Sequence, residues 1–414
     1  MKRPIVLILM SILFSFTVLT CAGLRAKPYG QYTRGMLQSY RNGQFSLAYA
    51  RADGLVKFSA RRQKQDYYLT LLERGKVALA NGNYDQAIND LQVAEKKFLK
   101  IEGQFSFSEE ATSLFSNERG KLYEVDPHEM LLISPYLALA YLSKGDFPGA
   151  RVERNRTINK INHYIEKSRK RRYLENPFSR YVSALIYEME GKSDDAKIEY
   201  RKMAKYSKYL RYMKKAVDKV GKKSTDLVVL VDAGVAPYKY EIKYGPTTMR
   251  IGRQIHTIAF AYAGMRPSPS RIHRCRVYVD RKKMGKTRLL YDLETTVITR
   301  HKKTQSRRIG NMLKRIAIKI AASAALQAAG NKTKGAGGAI LKIVGWGIGA
   351  AGAYMEKADL RQWSTLPKNI QYIRIPNLKP GNHLIKIRHG GGVQEKQVVI
   401  KKDTVTIAYF VSPF

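Results

Sequence analysis

A short pattern, Gly-x-aromatic-x-x-Ala, recurs in the first half of this 414-residue chain and constrains the fold more than any other feature. It occurs as Gly43, Phe45, Ala48, then Gly82, Tyr84, Ala87, then Gly145, Phe147, Ala150. A fourth copy, Gly191, Ser193, Ala196, lacks the aromatic. Each copy lies between two runs of helical periodicity. Glycine reaches the left-handed conformation that closes a helix. The aromatic staples the turn, and the small alanine lets the next helix approach its predecessor. The pattern therefore predicts four helix pairs over residues 30–225.

The second copy fits the tetratricopeptide template, with Leu71, Gly75, Ala78, Ala87, Leu91 and Ala94 at its small and apolar positions. The fourth keeps Ala184, Tyr187, Ala196 and Tyr200 in the same register. The copies lie 39, 63 and 46 residues apart, against roughly 34 in a regular array. The region thus resembles a tetratricopeptide array with insertions, the longest from about Ile101 to Asp126. A plain helical bundle with unrelated turns is the alternative. Stacked repeats of this kind leave a concave surface that holds a peptide, a helix or another subunit.

The first twenty residues read as an address. Lys2 and Arg3 precede an uncharged apolar run from Ile5 to Leu19, too short to span a bilayer comfortably and placed as a secretory signal is placed. Cys21 follows in Val18-Leu19-Thr20-Cys21-Ala22-Gly23, which resembles a bacterial lipoprotein signal, although Val18 and Thr20 depart from its usual residues. The expectation is a signal peptide over 1–20, lipid attachment at Cys21 and a linker over 21–29. Ordinary cleavage after Ala22 is the alternative. Either reading exports the chain, and Ala22 favours the outer membrane, facing the periplasm or the surface. Acyl chains would hold the protein on a bilayer, at roughly 0.8 kcal/mol per buried methylene. Lipidation at Cys21 would leave Cys275 without a partner, as a packed thiol.

Charge bears on company rather than fold. Lys and Arg number 75 against 33 Asp and Glu, a net +42. Arg169, Lys170, Arg171 and Arg172 form one basic patch, and Arg201–Lys223 carries ten basic residues and one acid among tyrosines. Such segments read as solvated helix faces, or as adhesion to anionic lipid or wall polymer. Export and the lack of a base-reading motif argue against nucleic acid.

After Ser224 the periodicity changes. Leu227–Asp232, Tyr238–Tyr244, Ile255–Tyr262, Arg274–Asp280, Ile370–Ile375, His383–Arg388, Glu395–Ile400 and Thr404–Val411 read as strands, with Arg281–Lys286 as a basic hairpin turn. Strands of this length with Gly/Pro turns predict an antiparallel β-sandwich-like domain over 226–414. Its helical insert, 297–363, begins basic and ends Gly/Ala-rich. Gly335–Tyr354 contains a single charge and the pair Gly345 and Gly349, which suits a tightly packed helix or a hairpin that touches membrane or builds an oligomer. The fold class expected is α+β, a tetratricopeptide-like array followed by this sandwich.

Ala358-Asp359-Leu360-Arg361-Gln362-Trp363-Ser364-Thr365-Leu366-Pro367 resembles the hallmark of a bacterial family of exported lipoproteins with tetratricopeptide-like N-terminal repeats and a C-terminal β domain. Leu137–Tyr141, Gly145–Phe147, Arg151–Arg154 and Leu227–Gly234 fit the same family. The resemblance covers the chain from about Tyr29 and implies no reaction. Physically, Asp359 and Arg361 are expected to pair with backbone or with charges on the sheet, Trp363 to anchor the insert's return, and Pro367 to forbid further helix. The segment reads as a structural joint, or otherwise as a partner site.

No nucleophile elbow, phosphate loop, dinucleotide motif or metal-ligand spacing occurs in the sequence. His389-Gly390-Gly391-Gly392 imitates an oxyanion segment but lies between two strands, as a turn would. The reading is a non-enzymatic envelope scaffold without cofactor or metal that binds a protein partner through its repeats. A basic binder of polyanions or membrane, or a homo-oligomeric subunit, is the alternative.

Overall fold

A computed structural model describes residues 28–103, 122–166, 176–206, 220, 224–251, 254–332 and 358–414. The signal peptide, Cys21, the basic patch Arg169–Arg172, Gly335–Tyr354 and most of Arg201–Lys223 lie outside the described residues. The chain is a mixed α/β protein, helical in its first half and rich in antiparallel sheet in its second.

The helices of the first half are α1 (Tyr29–Arg41), α2 (Phe45–Arg62), α3 (Tyr67–Asn81), α4 (Tyr84–Gly103), α5 (Pro127–Lys144), α6 (Phe147–Glu166), α7 (Pro177–Met189) and α8 (Ser193–Tyr206). Gly43, Gly82, Gly145 and Gly191 join them in pairs, all with φ between 71° and 89°. Around each glycine the backbone closes in the same way. The glycine N–H donates three residues back, and the next N–H donates five residues back: Gln44 to Ser39, Asn83 to Ala78, Asp146 to Tyr141 and Lys192 to Tyr187, at 2.8–3.0 Å. This is the Schellman closure, which satisfies carbonyls that a helix end leaves open. The residue after each glycine then accepts from Ala48, Ala87, Ala150 or Ala196, opening the second helix. All four alanines are fully buried. Gly75 brings α3 against α4, because a Cβ there would lie 2.9 Å from Leu91 Cγ.

Consecutive helices pack on one another from α1 to α8. At their centre α5 is buried from His128 to Ala140. Pro127 starts it where a missing N–H costs nothing. Asn176 caps α7, accepting from Phe178 and Ser179.

The second half contains β1 (Asp226–Ala233), β2 (Tyr238–Ile251), β3 (Gln254–Arg266), β4 (Arg276–Val279), β5 (Lys282–Lys286), β6 (Arg288–Asp292), α9 (Leu293–Lys332), β7 (Asn369–Ile375), β8 (Gly381–His389), β9 (Gly392–Ile400) and β10 (Val405–Ser412). One sheet has the order β10-β1-β7-β6, a second β5-β4-β8-β9, and β2 pairs with β3 in a long hairpin. Leu227, Val229 and Val231 of β1 share a buried cluster with Val277 of β4 and Ile385 and Ile387 of β8. The intervening Val228 and Leu230 belong instead to the core of the helices. Hence β1 is buried at every position. A strand covered on both faces needs an unbroken apolar run rather than an alternating one.

The structure departs from three sequence expectations. The sheets are not wholly antiparallel, because β10 runs parallel to β1, Asp226 facing Val405 and Ala233 facing Ser412. Arg281–Lys286 is mostly strand: the turn is confined to Asp280 and Arg281, both at positive φ, and β5 follows. The insert's helix begins at Leu293, directly after a strand, β6, that periodicity had not distinguished. His389–Gly392 is the β8–β9 turn.

Candidate functional site

Ala358–Pro367 lies in the seam between the helices and the first sheet, held by groups from both. Glu73 of α3 accepts the backbone N–H groups of Ser364 (Oε1, 2.7 Å) and Thr365 (Oε2, 2.9 Å). Glu129 of α5 accepts the N–H of Trp363 at 2.9 Å. Three consecutive amides are thus taken by two carboxylates from different helix pairs. The Tyr40 hydroxyl donates to the Thr365 carbonyl (3.0 Å), and Lys239 Nζ of β2 to the Arg361 carbonyl (2.6 Å). These bonds read backbone rather than side chain, and hold the segment through its turn at Ser364 and Thr365.

Two side chains reinforce the grip. Arg361 spans Asp359 (Nη2–Oδ2, 2.7 Å) and Asp66 (Nη1–Oδ1, 2.9 Å), the latter just before α3. Of the two expected pairings, the one with neighbouring backbone is present, Asp359 Oδ1 accepting the Arg361 N–H at 2.9 Å, whereas the charge partner across the seam, Asp66, lies on the helical half and not on the sheet. Trp363 is buried, its ring edge-on to Tyr136 of α5 at 6.1 Å between centroids. Pro367 is buried two residues ahead of β7, where the chain turns into sheet.

Beside the segment lies a wholly buried polar cluster. Lys76 Nζ of α3 donates to Asp232 Oδ2 of β1 (2.7 Å) and to the Tyr409 hydroxyl of β10 (2.8 Å). Tyr136 and Tyr409 each donate to Asp232 Oδ2, at 2.9 and 2.7 Å. The ammonium also stands 4.4 Å from the Tyr136 ring centroid, a favourable cation–π position. Burial pulls the Lys76 pKa below its ordinary value, while the Asp232 carboxylate opposes that shift. Burial raises the Glu73 carboxyl to about 7, against the hydrogen bonds from Ser364, Thr365 and Tyr29.

The arrangement holds the backbone of the segment from both halves. Lys76 and Asp232 are sealed between layers. Cys275 is buried and its thiol is pushed up to about 12 by burial. His128 is pulled down to about 4, first by burial and then by neighbouring cations. Two clefts flank the segment, sharing Lys239, Asp359 and Arg361 as wall. One, about 690 Å³, opens between α1 and the segment beside Arg34, Leu37 and Arg41. The other, about 410 Å³, lies between the start of α5 and α9, beside Asp126, His301 and Arg308. In the second, Asp126 is paired with Arg300 and Arg308, at 3.3 and 3.6 Å.

Of the residues expected from sequence, Asp359, Arg361, Trp363 and Pro367 meet here. The four turn glycines belong to the helix pairs, and Gly43 packs under the ring of Phe414. Glu73, Glu129, Lys76 and Asp232 escaped sequence reading. Glu129 and Asp232 each adjoin an apolar run, and Glu73 and Lys76 sit in the charged stretch Glu73-Arg74-Gly75-Lys76, but the partners of all four across the seam lie far away in sequence. The chain matches no protein-family model, no curated protein and no solved structure.

Proposed function

We propose that this protein is a non-enzymatic envelope scaffold, exported by its leader and lipid-anchored at Cys21. In this reading the four helix pairs are a tetratricopeptide-like array and the two larger sheets a β-sandwich-like unit. The observation that carries it is the clamp of Glu73 and Glu129 on the amides of Trp363, Ser364 and Thr365. Such arrays bind peptide chain on their concave surface, and here the gripped chain is the protein's own. Self-occupation welds the two halves into one platform and leaves the flanking clefts, rather than an empty groove, for a protein partner. The cleft beside α1 is the better candidate, because its wall exposes Arg34 and the half-buried Leu37.

The test is photo-crosslinking in intact cells from a reactive residue at Arg34, with one at Val399 on exposed β9 as control. The expected result is a discrete crosslinked envelope protein from position 34 and none from 399. Diffuse or absent crosslinks from 34 reject the scaffold reading.

A further inference from the structure

The helix α9 has two unlike faces. One packs on the β2–β3 hairpin through Met312, Ile316 and Ile320 against Ile258 and Phe260. The opposite face is exposed. At 100° per residue, Lys303, Arg307, Lys314 and Ile318 fall within one narrow stripe on it, and all four are exposed. Farther along, Ala321, Ala325, Ala328 and Lys332 continue that stripe. Its basic residues contrast with those behind them. Arg300 and Arg308 are paired with Asp126, whereas Lys303, Arg307 and Lys314 have no acidic partner among the described residues. Over forty residues α9 carries a single acid, Glu294, near its start.

We infer that this outer stripe of α9 is a docking surface for an anionic phospholipid bilayer. Unpaired cations aligned along one exposed helix face supply attraction to negative headgroups. Ile318 and the alanines beside them supply a shallow apolar edge, which an interface rewards and a dissolved polyanion does not. Long Lys and Arg stems let the charges reach headgroups while the helix lies flat. The hairpin already seats the helix through Met312, Ile316 and Ile320, so binding there orders little additional chain. This inference rests on the envelope reading above, although it needs neither the acyl anchor nor a protein partner.

The experiment is co-sedimentation of the full chain carrying Cys21→Ser, so that no acyl chain contributes. The probes are phosphatidylethanolamine vesicles with and without phosphatidylglycerol, and soluble polyglutamate. Binding to the anionic vesicles is expected, weakening as salt shortens the reach of charge. The triple variant Lys303→Gln, Arg307→Gln, Lys314→Gln is expected to lose about fivefold per charge, so roughly a hundredfold. A control triple on β5, Lys282→Gln, Lys283→Gln, Lys286→Gln, removes the same charge from another exposed place and should lose far less. Ile318→Ser should weaken vesicle binding and leave polyglutamate binding unchanged. All these positions are exposed, and unchanged melting curves verify folding. Equal losses from both triples, equal binding to neutral vesicles, or a preference for polyglutamate with no effect of Ile318 would each overturn the inference. None of these outcomes alters the crosslink expected at Arg34, so the two readings fail separately.

Discussion

Glu73 shows how a single carboxyl can hold the seam while opposing its own burial. Ionised, it accepts both the Ser364 and Thr365 amides. Buried, it resists ionising, and its folded pKa rises from 4.5 to about 7. The native state therefore binds the extra proton between those values, and Glu73's contribution to stability is full below pH 4.5 and lost as pH rises through 7. Glu73→Gln removes that titration. Relative to the variant, the wild type should lose roughly 3 kcal/mol between those two pH values. Urea unfolding of both proteins across the range measures the difference, and parallel pH profiles would show that Glu73 ionises as freely as in the unfolded chain. Arg361 illustrates the opposite balance. Burial works against its charge, but Asp359 and Asp66 more than offset the loss, so its pKa stays raised.

At the scale of the element, the glycine turns were legible because everything that makes them is local. A left-handed residue, its two backward hydrogen bonds and a small residue five places on all fall within one short window. The local penalty can be separated from packing. Around Gly82 no atom lies within 4 Å of a new Cβ, whereas at Gly43 a ring carbon of Phe414 would be 2.7 Å away. Gly82→Ala should cost about 1 kcal/mol from the left-handed backbone alone. Gly43→Ala should cost more, and Phe414→Ala in the same chain should recover only the excess. Thermal melting of the three variants checks this ordering. The strands were legible to the same extent, through periodicity. Their pairing was not, since β1 joins β10 in parallel across almost the whole second half. Parallel partners share no turn that sequence could display. β6 was hidden for another reason: its five residues run directly into α9, with no Gly or Pro to mark the boundary.

The whole molecule is organised by a layer that belongs to both halves. The first sheet gives one face to the second sheet and the other to the helices. A single buried cluster runs from Met36 of α1 to Tyr409 of β10. Sequence displayed Lys76 and Asp232 only as two unrelated charges, since 156 residues separate them. Their pairing makes the seam intolerant of one change and tolerant of two. Lys76→Met leaves a buried carboxylate uncompensated, and Asp232→Asn leaves a buried ammonium, each costing about 3–5 kcal/mol. The double variant keeps an acceptor for Tyr136 and Tyr409 and buries no charge, so it should be more stable than either single one. Urea unfolding should be followed in a Trp346→Phe background, with far-UV dichroism reporting helices and fluorescence reporting Trp363 at the seam. In the parent chain the two signals should change together, because neither half can open without exposing the shared core. Each single variant should shift both midpoints equally, and the double variant should restore them. Signals that part in the parent chain would mean the halves unfold independently and the seam is no weld.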